Sequence, residues 1–241
     1  MTTALHLADA GEAADLAAFL ARLIHYDKAA AVRLQAGGGV LAVFGRPPSF
    51  EVLAIRTARL AGDSVLDTTV SAGELLEGIE ESADAVTVPA AVTGPPWTGL
   101  LPPRGGWQRV PGLPAPEALV RTVAAAVAEF RARDEALPPQ HRTRSERDRI
   151  GREIWSRTLG DTRLPLRAAH AAQSLGFLRP ARAAALVGGG TSPGTAGPAP
   201  LPQPLSLLSA GGWLRLSTPY GSVAVRTGGP AGLSGLTVTP A

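Results

Sequence analysis

Between residues 10 and 26 the apolar side chains fall at Leu16, Phe19, Leu20, Leu23 and Ile24. That is the i, i+3, i+4, i+7, i+8 spacing of a helix with one buried stripe. Asp9 and Glu12 stand just ahead of it at capping-box spacing, so the pattern predicts a helix over about 11–25. From residue 29 the period shortens to two. Val32 and Leu34 alternate with polar neighbours, Gly37–Gly39 make a turn, and "VLAVF" and "FEVLAIRT" follow on either side of the break at Pro47–Pro48. These read as three strands, and "SVLDTTV" reads as a fourth.

The fourth strand runs straight into a second capping box, Ser71 with Glu74, bracketed by Val70 and Leu75 as a hydrophobic staple. The helix it opens is expected to reach about Glu81. Residues 85–92 read as a further strand, 94–106 as a Pro/Gly-rich loop, and "GWQRV" as a short edge strand. Pro116 then opens a long helix whose face is Leu119, Val123, Val127, Phe130 and Leu137, stopped by Pro138–Pro139. Thr143 and Glu146 form a third capping box, at the head of an arginine-rich helix expected to run to about Leu159. After the turn "GDTR", Pro165 suits a first helical position and Gly176 a C′ position of one more short helix.

The fold class this predicts is α+β. An antiparallel sheet over 29–110 is flanked by helices at 11–25, 72–81 and 117–137, with a basic helical unit at 142–182 and a C-terminal hairpin turning near Pro219–Gly221. The corresponding division is 1–139 for the α+β part, 140–187 for the helical unit, 188–204 for a flexible Gly/Pro-rich linker and 205–241 for the hairpin segment. The last dozen residues look frayed.

Composition narrows the chemistry. The chain has 241 residues, 45% hydrophobic but only 5% aromatic, so its core is expected to be small side chains around a few Leu, Val, Ile and Phe anchors. It has no cysteine, which excludes disulfides, thiolate nucleophiles and Cys-ligated zinc. The first residues lack a basic region followed by a long apolar run, and no apolar stretch reaches the ~20 residues that span a bilayer. A soluble, cytoplasmic protein with no membrane contact is expected. The excess of arginine over the single lysine, Lys28, with abundant Ala, Gly and Pro, matches bacterial high-GC coding.

Charge is unevenly spread. Residues 1–100 carry 6 basic and 12 acidic side chains, whereas 131–182 carry 12 arginines and 6 acids. Such asymmetry suggests two surfaces with different partners, or two halves that face each other.

Catalytic signatures are scarce. The four histidines are scattered without metal-ligand spacing, and Lys28 follows no glycine-rich phosphate loop. The match "GTSPG" to Gly-x-Ser-x-Gly places Pro193 directly after Ser192, where no nucleophile-elbow helix can start. No catalytic residue, metal or cofactor is therefore assigned, and an enzyme of unrecognised family stays only as an alternative.

Two charged groups remain as candidate binding residues. Glu74, Glu77, Glu80 and Glu81 form the densest acidic group, with Glu77 and Glu81 at i, i+4, and would suit a basic protein partner or self-association. In "RTRSERDRIGREIWSR", residues 142–157, the pairs Arg144–Asp148, Arg149–Glu153 and Glu153–Arg157 also stand at i, i+4, so much of the charge is expected to be paired within the helix. With the next helix, that stretch could instead form a helix-turn-helix in which Arg144, Arg147, Arg152, Arg167, His170 and Gln173 contact nucleic acid.

The order of elements over residues 12–82 resembles one repeat of a DNA sliding clamp, which implies a ring whose helices face DNA. Here those helices carry Glu12, Asp15, Glu74, Glu77 and Glu80, whose charge repels phosphate. The function expected first is a non-catalytic interaction or adaptor protein with an unknown protein partner or self-association. The alternative is a nucleic-acid-binding regulator using the arginine-rich helices 143–176.

Overall fold

The computed structural model describes residues 3–179 and 205–227, and the architecture is α+β. The expected linker at 188–204, the Gly-x-Ser-x-Gly match, Arg182 and the last dozen residues lie outside the described residues. In chain order the elements are β1 (Thr3–His6), α1 (Ala10–Tyr26), β2 (Ala31–Gly37), β3 (Val40–Gly45), β4 (Leu53–Arg59), β5 (Leu66–Ser71), α2 (Ala72–Glu77), β6 (Ile79–Glu80) and β7 (Ala85–Val88). They continue with β8 (Gln108–Val110), α3 (Pro116–Glu135), α4 (Arg144–Trp155), α5 (Leu166–Ser174), β9 (Ser206–Ala210), β10 (Trp213–Thr218) and β11 (Gly221–Arg226).

All three expected N-caps form. The side chains of Asp9, Ser71 and Thr143 accept from the backbone N–H groups of Glu12, Glu74 and Glu146. At Gly38 and Gly39 φ is +60° and +72°, and these two residues turn β2 into β3 where only glycine is free of strain. α5 ends with Gly176 at φ +74° in the C′ position, its N–H bonded to the Gln173 carbonyl and that of Phe177 to the Ala172 carbonyl.

Eight strands form one antiparallel sheet in the order β5-β2-β3-β4-β11-β10-β9-β8. The C-terminal hairpin thus extends the N-terminal sheet, with Leu53, Ala54 and Ile55 of β4 paired to Ala224, Val223 and Ser222 of β11. The inner face, with Leu34, Val43, Leu216 and Val223, is buried against the Leu16–Phe19–Leu20–Leu23 stripe of α1 and against α5. Ala168, Ala169, Ala171 and Ala172 of α5 are all buried, and their small side chains let that helix lie close to β11 and α3. The outer face is smaller: Phe44, Leu53, Ile55 and Ala224, roofed by Trp97, Leu101 and Trp213.

Several boundaries differ from expectation. α2 stops at Glu77, with Gly78 as its C-cap, and Gly78 packs so closely on β7 that a Cβ there would stand 2.6 Å from the Thr87 carbonyl oxygen. The chain continues as β6 and a 3-10 turn over 81–83, so Glu80 and Glu81 do not extend the helix and Glu77 and Glu81 share no helical face. β1, too short and mixed to show a period, was not anticipated; with β6 and β7 it makes a separate sheet ordered β1-β7-β6. β8 is an edge strand as expected, but its partner is β9. α4 ends at Trp155, short of Leu159.

Among the described residues no helix is long and apolar enough to cross a membrane.

Candidate functional site

The arginines of α4 divide by the side of the helix they occupy. Ile150 and Ile154 are buried and anchor the helix. On the flank facing α3, Arg147 bonds Asp134 at 2.7 Å, Arg157 bonds Glu129 at 2.6 Å, and Glu153 receives Arg133 at 2.7 Å. The i, i+4 pairs within α4 also exist but are looser, at 3.9, 3.8 and 3.7 Å for Arg144–Asp148, Arg149–Glu153 and Arg157–Glu153. The acids of α3, invisible to local spacing, hold Arg147 and Arg157 more closely than the i, i+4 partners do, whereas Arg149 is held by Glu146 of its own helix at 2.9 Å. Arg133 beside Glu153 and Arg157 beside Glu129 hold both carboxyls below the usual range. Arg142 serves structure instead, donating to the Leu137 and Glu135 carbonyls at the end of α3.

Among the described residues the side chains of Arg144 and Arg152 have no hydrogen-bond partner, and both are exposed on a cleft of about 950 Å³ between α4, α5 and the loop from β3 to β4. Trp155 and Phe130 form its aromatic wall, and Arg147 and Arg167 complete its basic lining. Asp148 and Glu51 are its carboxylates. The loop is held in an unusual conformation, with Ser49 at φ +73° and Glu51 at φ +51°.

Past that loop lies a second cavity of about 320 Å³, walled by Trp97 and Trp213 and by Arg46 and Arg226 from the ends of β3 and β11. Glu51 and Arg167 line both cavities, so the two share a wall. The guanidinium of Arg226 stands 5.7 Å from the Trp213 ring centre. The Nε of Arg167 is sealed from solvent without a hydrogen-bond acceptor, its nearest charge being the Glu51 carboxylate at 3.6 Å. A buried donor in that condition carries a desolvation cost that an incoming acceptor would relieve.

Of the residues the sequence nominated for nucleic acid, Arg144, Arg147, Arg152 and Arg167 thus converge on one cleft. His170 and Gln173 do not. The His170 ring is stacked on Trp155 at 4.3 Å and meets Phe50 edge-on at 5.1 Å, and burial pushes its pKa down. Gln173 is half-buried, with a side-chain oxygen closed off and unpartnered. α5 packs along its alanine face, as the sequence "RAAHAAQSLG" suits, and its other face carries Arg167, His170 and Gln173, of which His170 is taken up in contacts with Trp155 and Phe50.

Glu74, Glu77 and Glu80 are exposed on α2 and β6 and have no ion-pair partner among the described residues. Glu81 opens the 3-10 turn that follows. Arg46, Glu51, Trp97, Trp213 and Arg226 had no sequence signal: each stands alone at a strand end or in a loop, and only the β4–β11 pairing brings them together. Among the described residues no three His, Asp or Glu side chains converge as metal ligands would.

The fold and cleft define an α+β protein with arginine-lined, aromatic-walled cavities beside its eight-stranded sheet. Residues 102–230 match the model of a domain of unknown function, DUF8185, and the chain belongs to that family; residues 1–99 match a second domain of unknown function, DUF8010. Neither a curated protein nor a solved structure matches the chain. The two matched segments meet within the sheet, β4 lying in the first and β11 in the second, and both cavities draw residues from both segments.

Proposed function

We propose that this protein is a non-catalytic nucleic-acid-binding protein and that the groove formed by the two cavities is its binding surface. The observation that carries this reading is the convergence of Arg46, Arg144, Arg147, Arg152, Arg167 and Arg226 on adjoining cavities that hold only Glu51 and Asp148 as carboxylates. Arginine's planar fork matches phosphate oxygens, and a row of such groups at intervals suits a polyanion better than a single small anion. Among the described residues the side chains of Arg46 and Arg152 have neither a hydrogen bond nor an ion pair, and Arg144 has only its loose contact with Asp148 at 3.9 Å, so these three are the least committed of the lining arginines.

The test is fluorescence anisotropy of a labelled mixed-sequence oligonucleotide with the full chain, from about 50 to about 300 mM salt. Binding is expected to fall linearly on a log–log plot, and Arg144→Ala/Arg152→Ala to weaken it and reduce the slope by about 2. Absence of binding at the lowest salt rejects the reading.

The exposed, unpaired Glu74, Glu77 and Glu80 favour a second reading, an adaptor that offers this acidic group to a basic protein partner or to another copy of itself. Glu77→Lys/Glu80→Lys would then weaken association in sedimentation or pull-down measurements, and unchanged behaviour would count against it.

A further inference from the structure

Resting on the nucleic-acid reading, we propose that the groove takes a single strand, with a base inserted between Trp97 and Trp213 and its phosphate on Arg167. Three observations converge. On the outer face of α5 the His170 ring is stacked on Trp155 and meets Phe50 edge-on, so it is not presented to base edges as a duplex reader would be. The basic lining is interleaved with aromatic surface throughout: Trp155 and Phe130 in the larger cavity, Trp97 and Trp213 in the smaller. A duplex hides its base faces within the stack and gives such walls nothing to cover, whereas an unpaired strand exposes a π-face at every nucleotide. Finally, the cavity that Trp97 and Trp213 line, at about 320 Å³, has the size of a small-ligand pocket.

Charge and stacking are matched at that pocket. Arg226, over the Trp213 ring, puts a cation beside the stacking face, and Arg46 stands on the same wall. Arg167, with its unpartnered buried Nε, lies where the two cavities meet, so a phosphate there would be followed on one side by the pocket and on the other by Arg152 and Arg144. Glu51 occupies this junction now and is the carboxylate a phosphate would displace.

The test compares one labelled single strand with a duplex of the same length and sequence, using the full chain. The single strand is expected to bind at least about tenfold tighter, and Trp97→Ala to weaken it by about tenfold with little effect on the duplex; Trp97→Phe, which keeps a stacking face, should restore most of the loss. Thermal unfolding of each Trp97 variant separates lost stacking from lost folding. Equal or tighter duplex binding that ignores Trp97→Ala overturns the single-strand inference and leaves the nucleic-acid reading intact. A mononucleotide that competes at the strand's own concentration also overturns it. Failure of both strand and duplex to bind at low salt rejects the nucleic-acid reading itself.

Discussion

Trp155 and His170 lie face to face, ring centres 4.3 Å apart and planes inclined by 21°. The contact joins α4 to α5, and through Phe50, edge-on to His170 at 5.1 Å, it reaches the loop between β3 and β4. Trp155, which walls the larger cavity, is thus backed by His170 and, through it, by Phe50. Burial lowers the pKa of His170 from its ordinary 6.5. The sign follows directly: a proton binds the unfolded chain better than the folded one, so this contribution to stability is whole above 6.5 and declines as pH falls below it. Urea midpoints should fall as pH is lowered below that value. His170→Phe should keep the stack and flatten that part of the profile; an unchanged slope would show that His170 is not its source.

The carboxylates between α3 and α4 produce a separate, more acidic phase. Arg157 and Arg133 hold Glu129 and Glu153 below their ordinary 4.5. Their contribution is present above that value and is lost as pH falls through the depressed values. Because these side chains are exposed, added salt should screen the effect. Glu129→Gln/Glu153→Gln is expected to diminish the acid phase and its salt sensitivity together, as read by far-UV circular dichroism during acid titration.

Arg56 points from β4 toward α1 with its side chain only 8% exposed. It donates to the Tyr220 carbonyl at 2.8 Å and to Glu12 and Asp15 at 3.3 and 3.2 Å. Removing one member of a buried ion group leaves its partners desolvated, though here Arg59 and Arg179 still attend Glu12 and Asp15. Arg56→Ala is expected to cost about 2–4 kcal/mol in denaturant unfolding, and Arg56→Met, which keeps the packing of the stem, about half that. Since Tyr220 lies in the DUF8185 segment and Arg56 in the DUF8010 segment, both segments should lose stability in a single transition.

Local pattern made much of this fold legible. The three capping boxes announced α1, α2 and α4, and strict alternation over Val32 and Leu34 announced β2, because caps and periods depend on residues a few positions apart. β1 and β6 escaped because four and two residues cannot display a period, and they exist only through pairing with β7. The basic half of the groove was equally legible: Arg144, Arg147 and Arg152 stood out as a run. Its other half was not. Trp97 belongs to a Pro/Gly-rich loop, and Arg46 and Arg226 are separated by 180 positions. They become neighbours only because β11 adds to β4, a pairing that no local rule contains. The contacts of His170 were not legible either: its partners Trp155 and Phe50 lie 15 and 120 positions away, and only the packing of α5 brings them to it.

Glu51 combines backbone strain with a carboxylate beside Arg167, and the two can be separated. At φ +51° its Cβ crowds the backbone, at a cost of roughly 1–2 kcal/mol for a residue other than glycine. Its carboxylate, 3.6 Å from Arg167 Nε, lies at the junction of the two cavities. Glu51→Gln removes the charge and keeps the strain. Glu51→Gly removes both, with part of the relief offset by the greater freedom of glycine in the unfolded chain. Both variants should bind a labelled single strand more tightly than the parent, by about two- to tenfold at low salt, while only Glu51→Gly should change the unfolding midpoint, upward or not at all. If Glu51→Gln binds no better than the parent, the carboxylate is not competing with phosphate for Arg167. If Glu51→Gly is markedly destabilised, the loop conformation depends on contacts of this side chain rather than merely tolerating it.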